Sequence, residues 1–482
     1  MNKSLVFHYL SKIVLVGSVI MLLPCLVSVY YREFDSALTF LIVMGIGAVL
    51  SLPLAIVKPK NRQMYAREGL VIVALMWIVY PALGALPFYI SGEIPNFIDA
   101  LFESVSGFTT TGSSILTDIE ALPKGLIFWR SFTHWVGGMG VLVLAIAILP
   151  SSSDSMYLMR AECAGPQVGK IVPKGKTSAT YLYAIYFAFT VIITLLLVLG
   201  GMPLFDSVCH AMGAVGTGGF GIKNSGISYY DSAYIEGVIT GGTMLCGVNF
   251  SIFYYLLTKR YKDVVKNTEL RVYLSIIAIA TLLVTINVFD IYGTVGKSFR
   301  YAIFQVVTIM TSAGFSTADY CQWPVFSQTI LTILMFVGAC AGSTGGGFKV
   351  QRFVIMFKSA KKSIKQALNP KSVNIVTDEG KMIDIEVVHG IHSYLIIYLG
   401  LFLISLLLVS LNDIDFTSSF GAVATCINNI GPAFGSLGPT ENFSFLSPLS
   451  KIVLTLDMLL GRLECFPIII LLSPTVWRRK KF

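Results

Sequence analysis

Charge is what this sequence has least of: only 13% of its 482 residues are Asp, Glu, Lys or Arg, against about 25% in soluble domains. With 55% of the chain apolar as well, there is too little polar material to cover a water-facing surface, and an ordinary soluble protein is excluded. Histidine is scarce, five residues in all, and the eight cysteines are never grouped as CxxC. A disulfide framework and a zinc site are thereby excluded, and Cys25, Cys163, Cys209, Cys246, Cys321, Cys340, Cys426 and Cys465 read as small core hydrophobes. His389 and His392 have a spacing seen in metal sites, but two ligands at a membrane boundary do not make one. A multi-pass membrane enzyme needs a cluster of His, Asp, Glu or Ser within its spans, whereas His134, His210 and Glu103 are scattered along the sequence. No enzymatic chemistry is expected. A net charge of +9 would suggest nucleic acid in a soluble chain; here it reads as Lys and Arg in cytoplasmic loops, and no nucleic acid is expected.

What is present is uncharged length. Apolar runs able to span a bilayer occur near residues 13 to 30, 37 to 57, 69 to 90, 125 to 149, 180 to 200, 233 to 257, 272 to 293, 327 to 341, 391 to 411 and 449 to 473. The first has Lys3 and Lys12 ahead of it, as a secretory signal does, but it continues to about Tyr30 without an A-x-A site. Pro24 is a poor residue before a lipoprotein-type Cys25, so the run is read as an uncleaved helix. The basic connections are Lys58 to Arg67, Arg160 to Lys176, Lys259 to Arg271, Lys349 to Lys371 and the tail Arg478 to Lys481. All fall on one side of an even number of crossings, which puts both termini in the cytoplasm.

Four further segments, near residues 95 to 109, 203 to 215, 297 to 311 and 415 to 428, are apolar but too short to cross, and read as re-entrant helices. Each leads into a tract of small residues. Setting Asp99 over Asp206, Tyr301 and Ser418 places Gly112, Gly219, Gly314 and Gly431 in register, each 13 positions downstream. The expected fold is therefore an all-α polytopic membrane protein, with an N-terminal helix pair (1–67) followed by four span–short helix–span repeats at 68–150, 177–260, 268–368 and 388–482.

Glycine permits backbone angles that turn successive carbonyls toward one axis, and non-helical backbone at membrane depth is tolerated only where it is enclosed by protein or lines a wet cavity. Four such tracts around an axis would replace the water shell of a monovalent cation with carbonyl oxygens, aided by the negative ends of the short helices. Neutral carbonyls suit K+ better than Ca2+, which usually takes carboxylates. Gly216 to Gly221 matches G-x-G-x-x-G, but a membrane helix and not a strand precedes it, so it is no dinucleotide site. Gly342 to Lys349 resembles a P-loop, yet Phe348 separates the last glycine from the lysine. Four of the six residues from Gly342 to Gly347 are glycine, each costing about 1 kcal/mol in a helix relative to Ala, so a span breaks there. Beneath a pore, the break is either a flexible gate or a tight packing seam. Arg462, deep in the last span, either faces the pore as an electrostatic barrier or pairs with Asp457 or Glu464. Arg130, near the start of its span, reads as a snorkelling or interfacial residue.

The first tract Thr109 to Ser114, the glycine break Ala341 to Gly347, the sequence Gly461-Arg462-Leu463-Glu464 and the extra N-terminal pair together resemble the Trk/Ktr/HKT superfamily of bacterial potassium transporters, within it the TrkH/TrkG type of membrane subunit. The resemblance implies a channel-like pore of four M1-P-M2 repeats taking up K+ across the bacterial inner membrane, a homodimer, and a cytoplasmic TrkA-like nucleotide-binding ring that regulates opening. K+ would be the transported ion, with no covalently bound cofactor. The ion-coordinating carbonyls it implies, to within one residue, come from Thr110, Thr111 and Gly112; Thr217, Gly218 and Gly219; Ser312, Ala313 and Gly314; and Asn429, Ile430 and Gly431. The gate it implies consists of Ala341, Gly342, Ser343, Thr344, Gly345, Gly346, Gly347 and Arg462. The fourth tract departs most from a potassium-channel filter. A secondary transporter of another cation or an organic solute, coupled to H+ or Na+, is the alternative, but it would usually show two broken helices in inverted repeats.

Overall fold

The computed structural model describes residues 1–57, 59, 64–140, 175–371 and 375–477. Parts of the expected second span of repeat 1 (141–149), the basic connections 58–67 and 160–176, Cys163 and the tail 478–481 lie outside the described residues. The protein is an all-α polytopic membrane protein: four repeats of crossing helix, re-entrant pore helix and second crossing helix follow an N-terminal pair.

Among the described residues, six helices are long and apolar enough to cross a membrane. They are the N-terminal pair, Lys3–Tyr30 and Phe34–Ile56, and the first helix of every repeat, Arg67–Ile90, Thr180–Leu199, Thr268–Asn287 and Ile385–Ser410. Their windows carry almost no charge, and at 20 to 28 residues they reach the roughly 30 Å of a hydrocarbon core. The N-terminal helix begins earlier than the apolar run suggests, at Lys3, because Asn2 caps it by accepting from the Leu5 N–H at 3.3 Å.

The second helices of repeats 2 and 4, expected as uninterrupted spans, are broken, and that of repeat 3 is broken at its glycine tract. Repeat 1 has Lys124–Gly138. In repeat 2 the expected span 233 to 257 is two helices, Ala233–Cys246 and Phe250–Leu257, meeting at 90°. Repeat 3 stops at Val337 and resumes at Val350, and repeat 4 stops at Arg462 and resumes at Phe466. The last break has no glycine: Glu464 and Cys465 themselves adopt left-handed backbone, φ 53° and 64°. Propensity alone does not anticipate such a break, since L side chains disfavour that region.

The pore helices span Phe97–Phe108, Leu204–Gly216, Val295–Met310 and Phe416–Asn428. At 12 to 16 residues they are too short to cross and are wrapped by the crossing helices. One hydrophobic core joins the N-terminal pair with repeats 1, 2 and 4; a second gathers repeat 3 with the end of repeat 2, including Ile430 and Phe434 of repeat 4. The four pore helices end together at the centre.

Candidate functional site

Each pore helix closes in the same way. Four N–H groups reach back five residues: Thr111 to Ser106 O (2.9 Å), Gly218 to Gly213 O (2.9 Å), Ala313 to Thr308 O (2.7 Å) and Ile430 to Thr425 O (3.0 Å). The residue before each donor is left-handed: Thr110 at φ 56°, Thr217 at 52°, Ser312 at 56° and Asn429 at 54°. This is a Schellman-type helix end, which usually takes glycine. Two β-branched threonines in that region mark a backbone held by its surroundings, as strained functional segments are.

Two residues further on, Gly112, Gly219, Gly314 and Gly431 again have positive φ, between 71° and 109°. A Cβ on Gly112 would come within 3.0 Å of Gly218 O, one on Gly219 of Ala313 O, one on Gly314 of Ile430 O, and one on Gly431 of Thr111 O. Repeat 1 thus abuts repeat 2, 2 abuts 3, 3 abuts 4 and 4 returns to 1. The twelve residues expected to form a filter lie in one closed ring of backbone. Above the ring is a vestibule of about 220 Å³, with Gly112, Gly219, Gly314 and Gly431 in its wall.

Below the ring, the breaks in the second helices form another layer, and each left-handed residue touches it or the helix that leads to it. The Thr110 hydroxyl accepts from Arg462 Nη1 (3.2 Å), Thr217 bonds Thr344 (3.2 Å), Ser312 Oγ accepts from the Gly346 N–H (2.5 Å), and Asn429 Nδ2 donates to Met458 O (2.9 Å). The glycine break is closely packed. Gly342 O accepts from Phe250 N (3.0 Å), Ser343 Oγ donates to Cys340 O (2.6 Å), and Lys349 Nζ bonds Gly345 O. A Cβ on Gly345 or Gly346 would strike Thr311 O or Asn428 O, carbonyls at the ends of pore helices 3 and 4. Close approach of backbone to backbone is what requires glycine there. Gly347 lies against Gly338 and Ala341 N donates to Glu269 Oε1 (2.6 Å), so the loop is held at both ends.

Arg462 crosses this layer. Its guanidinium donates to the carbonyls of Gly137 (2.5 Å), Gly138 (2.7 Å) and Thr344 (2.9 Å), tying the end of the described second helix of repeat 1 to the glycine break. The two carboxylates considered as its partners are engaged elsewhere: Glu464 with Arg352, and Asp457 with the Ser405 hydroxyl (2.6 Å).

The family described as TrkH, cation transport protein, matches residues 36–479. This chain belongs to the TrkH family. It is 35% identical over 478 residues to the Trk system potassium uptake protein TrkH of Salmonella typhimurium, covering 97% of each chain. It is 33% identical to the Trk system potassium uptake protein TrkG of Escherichia coli, covering 99% of this chain and all of that one. The crystal structure of the potassium transporter TrkH from Vibrio parahaemolyticus superposes with a TM-score of 0.88 at 31% identity, covering 99% of this chain and 100% of that chain.

In this TrkH-family chain several residues at the site were not legible from the sequence. Arg130 is no snorkelling residue: it is 1% exposed and its Nε bonds Glu103 Oε1 at 2.7 Å. His134, which looked isolated, links the first pore helix to the second tract, with Nδ1 2.7 Å from Gly107 O and Nε2 accepting from the Phe220 N–H at 3.1 Å. Glu269, at the start of the first helix of repeat 3, bonds the glycine break at both ends, through Ala341 N and Gln351 N (3.2 Å). The signal available for Arg130 and His134 was the cost of a polar side chain in an apolar run; Glu269, within the basic connection 259–271, carried no such signal. Among the described residues, no group of three His, Cys, Asp or Glu is placed to hold a metal ion. The described cysteines are free, and all of them except Cys321 are buried.

Proposed function

We propose that the chain is the K+-conducting subunit of a Trk-type uptake system, passing K+ across the bacterial inner membrane through the ring formed by its four tracts. The observation that carries this reading is the head-to-tail closure of that ring, in which every tract repeats a left-handed residue, a carbonyl and a positive-φ glycine. Four neutral strands around one axis suit a dehydrated monovalent cation. The names of the relatives, potassium uptake proteins, agree with K+ as that cation. The membrane potential, about 2.3 kcal/mol per charge per 100 mV, supplies the inward drive.

The break layer is the gate in this reading. Arg462 places a fixed positive charge below the ring, and the glycine break must shift for K+ to pass. Opening is governed by a cytoplasmic nucleotide-binding ring of the TrkA kind, acting on a homodimer whose chains have both termini in the cytoplasm; the basic connections Lys259–Arg271 and Lys349–Lys371 support that orientation. The filter assignment is tested by Gly112→Ser in K+-limited growth and in liposome flux. Loss of uptake or of K+ over Na+ preference is expected; unchanged uptake with unchanged preference rejects the assignment.

A further inference from the structure

Each pore helix carries, four residues beyond the positions aligned at Asp99, Asp206, Tyr301 and Ser418, a side chain behind its tract: Glu103, His210, Gln305 and Ala422. In repeat 1 the Glu103 carboxylate accepts from the Ile115 N–H and the Ser114 hydroxyl, both at 3.0 Å. Ile115 is three residues past the filter glycine. In repeat 3, with its amide oxygen turned toward the tract, Gln305 accepts from Thr317 N (2.9 Å), again three residues past the glycine, and from Ala318 N (3.3 Å). Among the described residues, repeats 2 and 4 show no such brace: both ring nitrogens of His210 lack a hydrogen-bond partner, and Ala422 has no polar side-chain atom.

Repeat 1 makes up for repeat 2 through Arg130. While Nε holds Glu103, Nη1 donates to Gly221 O of tract 2 (3.0 Å), Nη2 reaches Ser114 Oγ (3.3 Å), and the guanidinium lies 4.0 Å from the Phe220 ring centroid. The pair is essentially dry, at 1% and 0% side-chain exposure. Five N–H donors in a rigid fork allow one guanidinium to hold a carboxylate, a carbonyl and a hydroxyl at once, which lysine cannot do.

We propose that the Glu103–Arg130 pair is a positioning and specificity-determining element: it sets the spacing between tracts 1 and 2, and with it the discrimination of K+ from Na+. The proposal rests on the K+-conduction reading above. Replacing a hydration shell by carbonyls discriminates between ions only if the carbonyls hold their positions, and two of the four tracts meet at this pair. The bland reading is that the pair merely anchors a crossing helix to a pore helix. Glu236 and Arg300 offer a matched control, because they join the second helix of repeat 2 to pore helix 3 with bonds of 2.7 and 2.8 Å and are not seen bonded to any filter residue.

The test is K+ and Na+ flux into liposomes by the purified full-length chain and its variants Glu103→Gln, Arg130→Lys, Ser114→Ala and Glu236→Gln. Glu103→Gln and Arg130→Lys should lower the K+/Na+ flux ratio by about tenfold, and Ser114→Ala, which leaves the pair intact, by about threefold, with Glu236→Gln unchanged. Ratios within twofold of wild type overturn the proposal, as does an equal fall in Glu236→Gln. Should the two charged-pair variants not purify folded, Ser114→Ala decides on the same criterion. A wild-type chain that passes K+ without preference over Na+ would reject the conduction reading itself, a distinct outcome.

Discussion

Gly112→Ser perturbs the ring at the contact between tracts 1 and 2, and its cost can be built from two terms. Gly112 sits at φ 86°, where a residue with a side chain is disfavoured by about 1–2 kcal/mol. The new Cβ would also fall inside 3.0 Å of Gly218 O, a backbone atom that cannot swing away like the tip of a side chain. Overpacking of that kind costs about 1–3 kcal/mol. Because the ring closes through all four tracts, the displaced Gly218 carries the shift onward toward Ala313 O and Ile430 O. The K+-occupied arrangement should therefore be raised by roughly 2–5 kcal/mol, a loss of K+ affinity between roughly 30-fold and several thousandfold. The assay is the melting temperature of the purified protein against KCl concentration, with choline chloride keeping ionic strength constant, alongside Rb+ flux in liposomes. Gly237→Ala is the control: Gly237 has no atom within 4 Å of a built Cβ and lies inside a helix, so Ala there should add roughly 0.5–1 kcal/mol of stability. An unchanged K+ midpoint for Gly112→Ser, or an equal shift for Gly237→Ala, would refute the ring as the K+ site.

Arg462→Ala removes a guanidinium that holds three carbonyls of the break layer, and charge-assisted bonds of this kind contribute about 1.5–3 kcal/mol each. K+ flux without any cytoplasmic partner should rise by about tenfold or more, as it should on deleting part of Gly342 to Gly347; flux at or below wild type in both contradicts a barrier there. Glu269→Ala leaves the N–H groups of Ala341 and Gln351 without their acceptor, at about 1–3 kcal/mol each, and should lower the melting temperature and raise basal flux. Glu269→Gln keeps one acceptor oxygen and should fall between; a wild-type melting temperature for Glu269→Ala counts against Glu269 as a tie on the glycine break. At the vestibule rim, a hydrogen bond from Asn224 lowers the Asp118 pKa below 3.8, one from Lys223 lowers Glu120 below 4.5, and the bond to Glu120 raises Lys223 above 10.5. The carboxylate contributions are present above those ordinary values and vanish as pH falls through the lowered ones; the lysine contribution is present below its ordinary value and vanishes as pH rises through the raised one. A spin label at Thr117→Cys should thus keep constant mobility between about pH 5 and 10 and loosen only outside that window, whereas a transition near pH 7 would contradict the network.

The pore helices were legible to within about two residues, as the expected 415 to 428 against the observed Phe416–Asn428 shows, because run length and glycine chemistry are short-range signals. The membrane as solvent, the fourfold repeat and the register of Gly112, Gly219, Gly314 and Gly431 are likewise properties of the sequence by itself, since each depends on composition or on a fixed offset along the chain. Long-range meetings were not legible. Arg130 finds Glu103 27 residues away, Ala341 finds Glu269 at 72, and Arg462 finds Gly137 at 325, and nothing local distinguishes a charge that snorkels from one with a distant partner. The breaks in the second helices of repeats 2 and 4 escaped for a related reason. Cys465 turns left-handed against its intrinsic preference, and only a surrounding fold can hold it there. Sequence alone determined that four equivalent tracts exist and what each can offer an ion. The tertiary structure decided that they close head to tail, that one arginine–glutamate pair braces two of them, and that the breaks gather beneath the ring, because closure depends on contacts between repeats that no single repeat encodes.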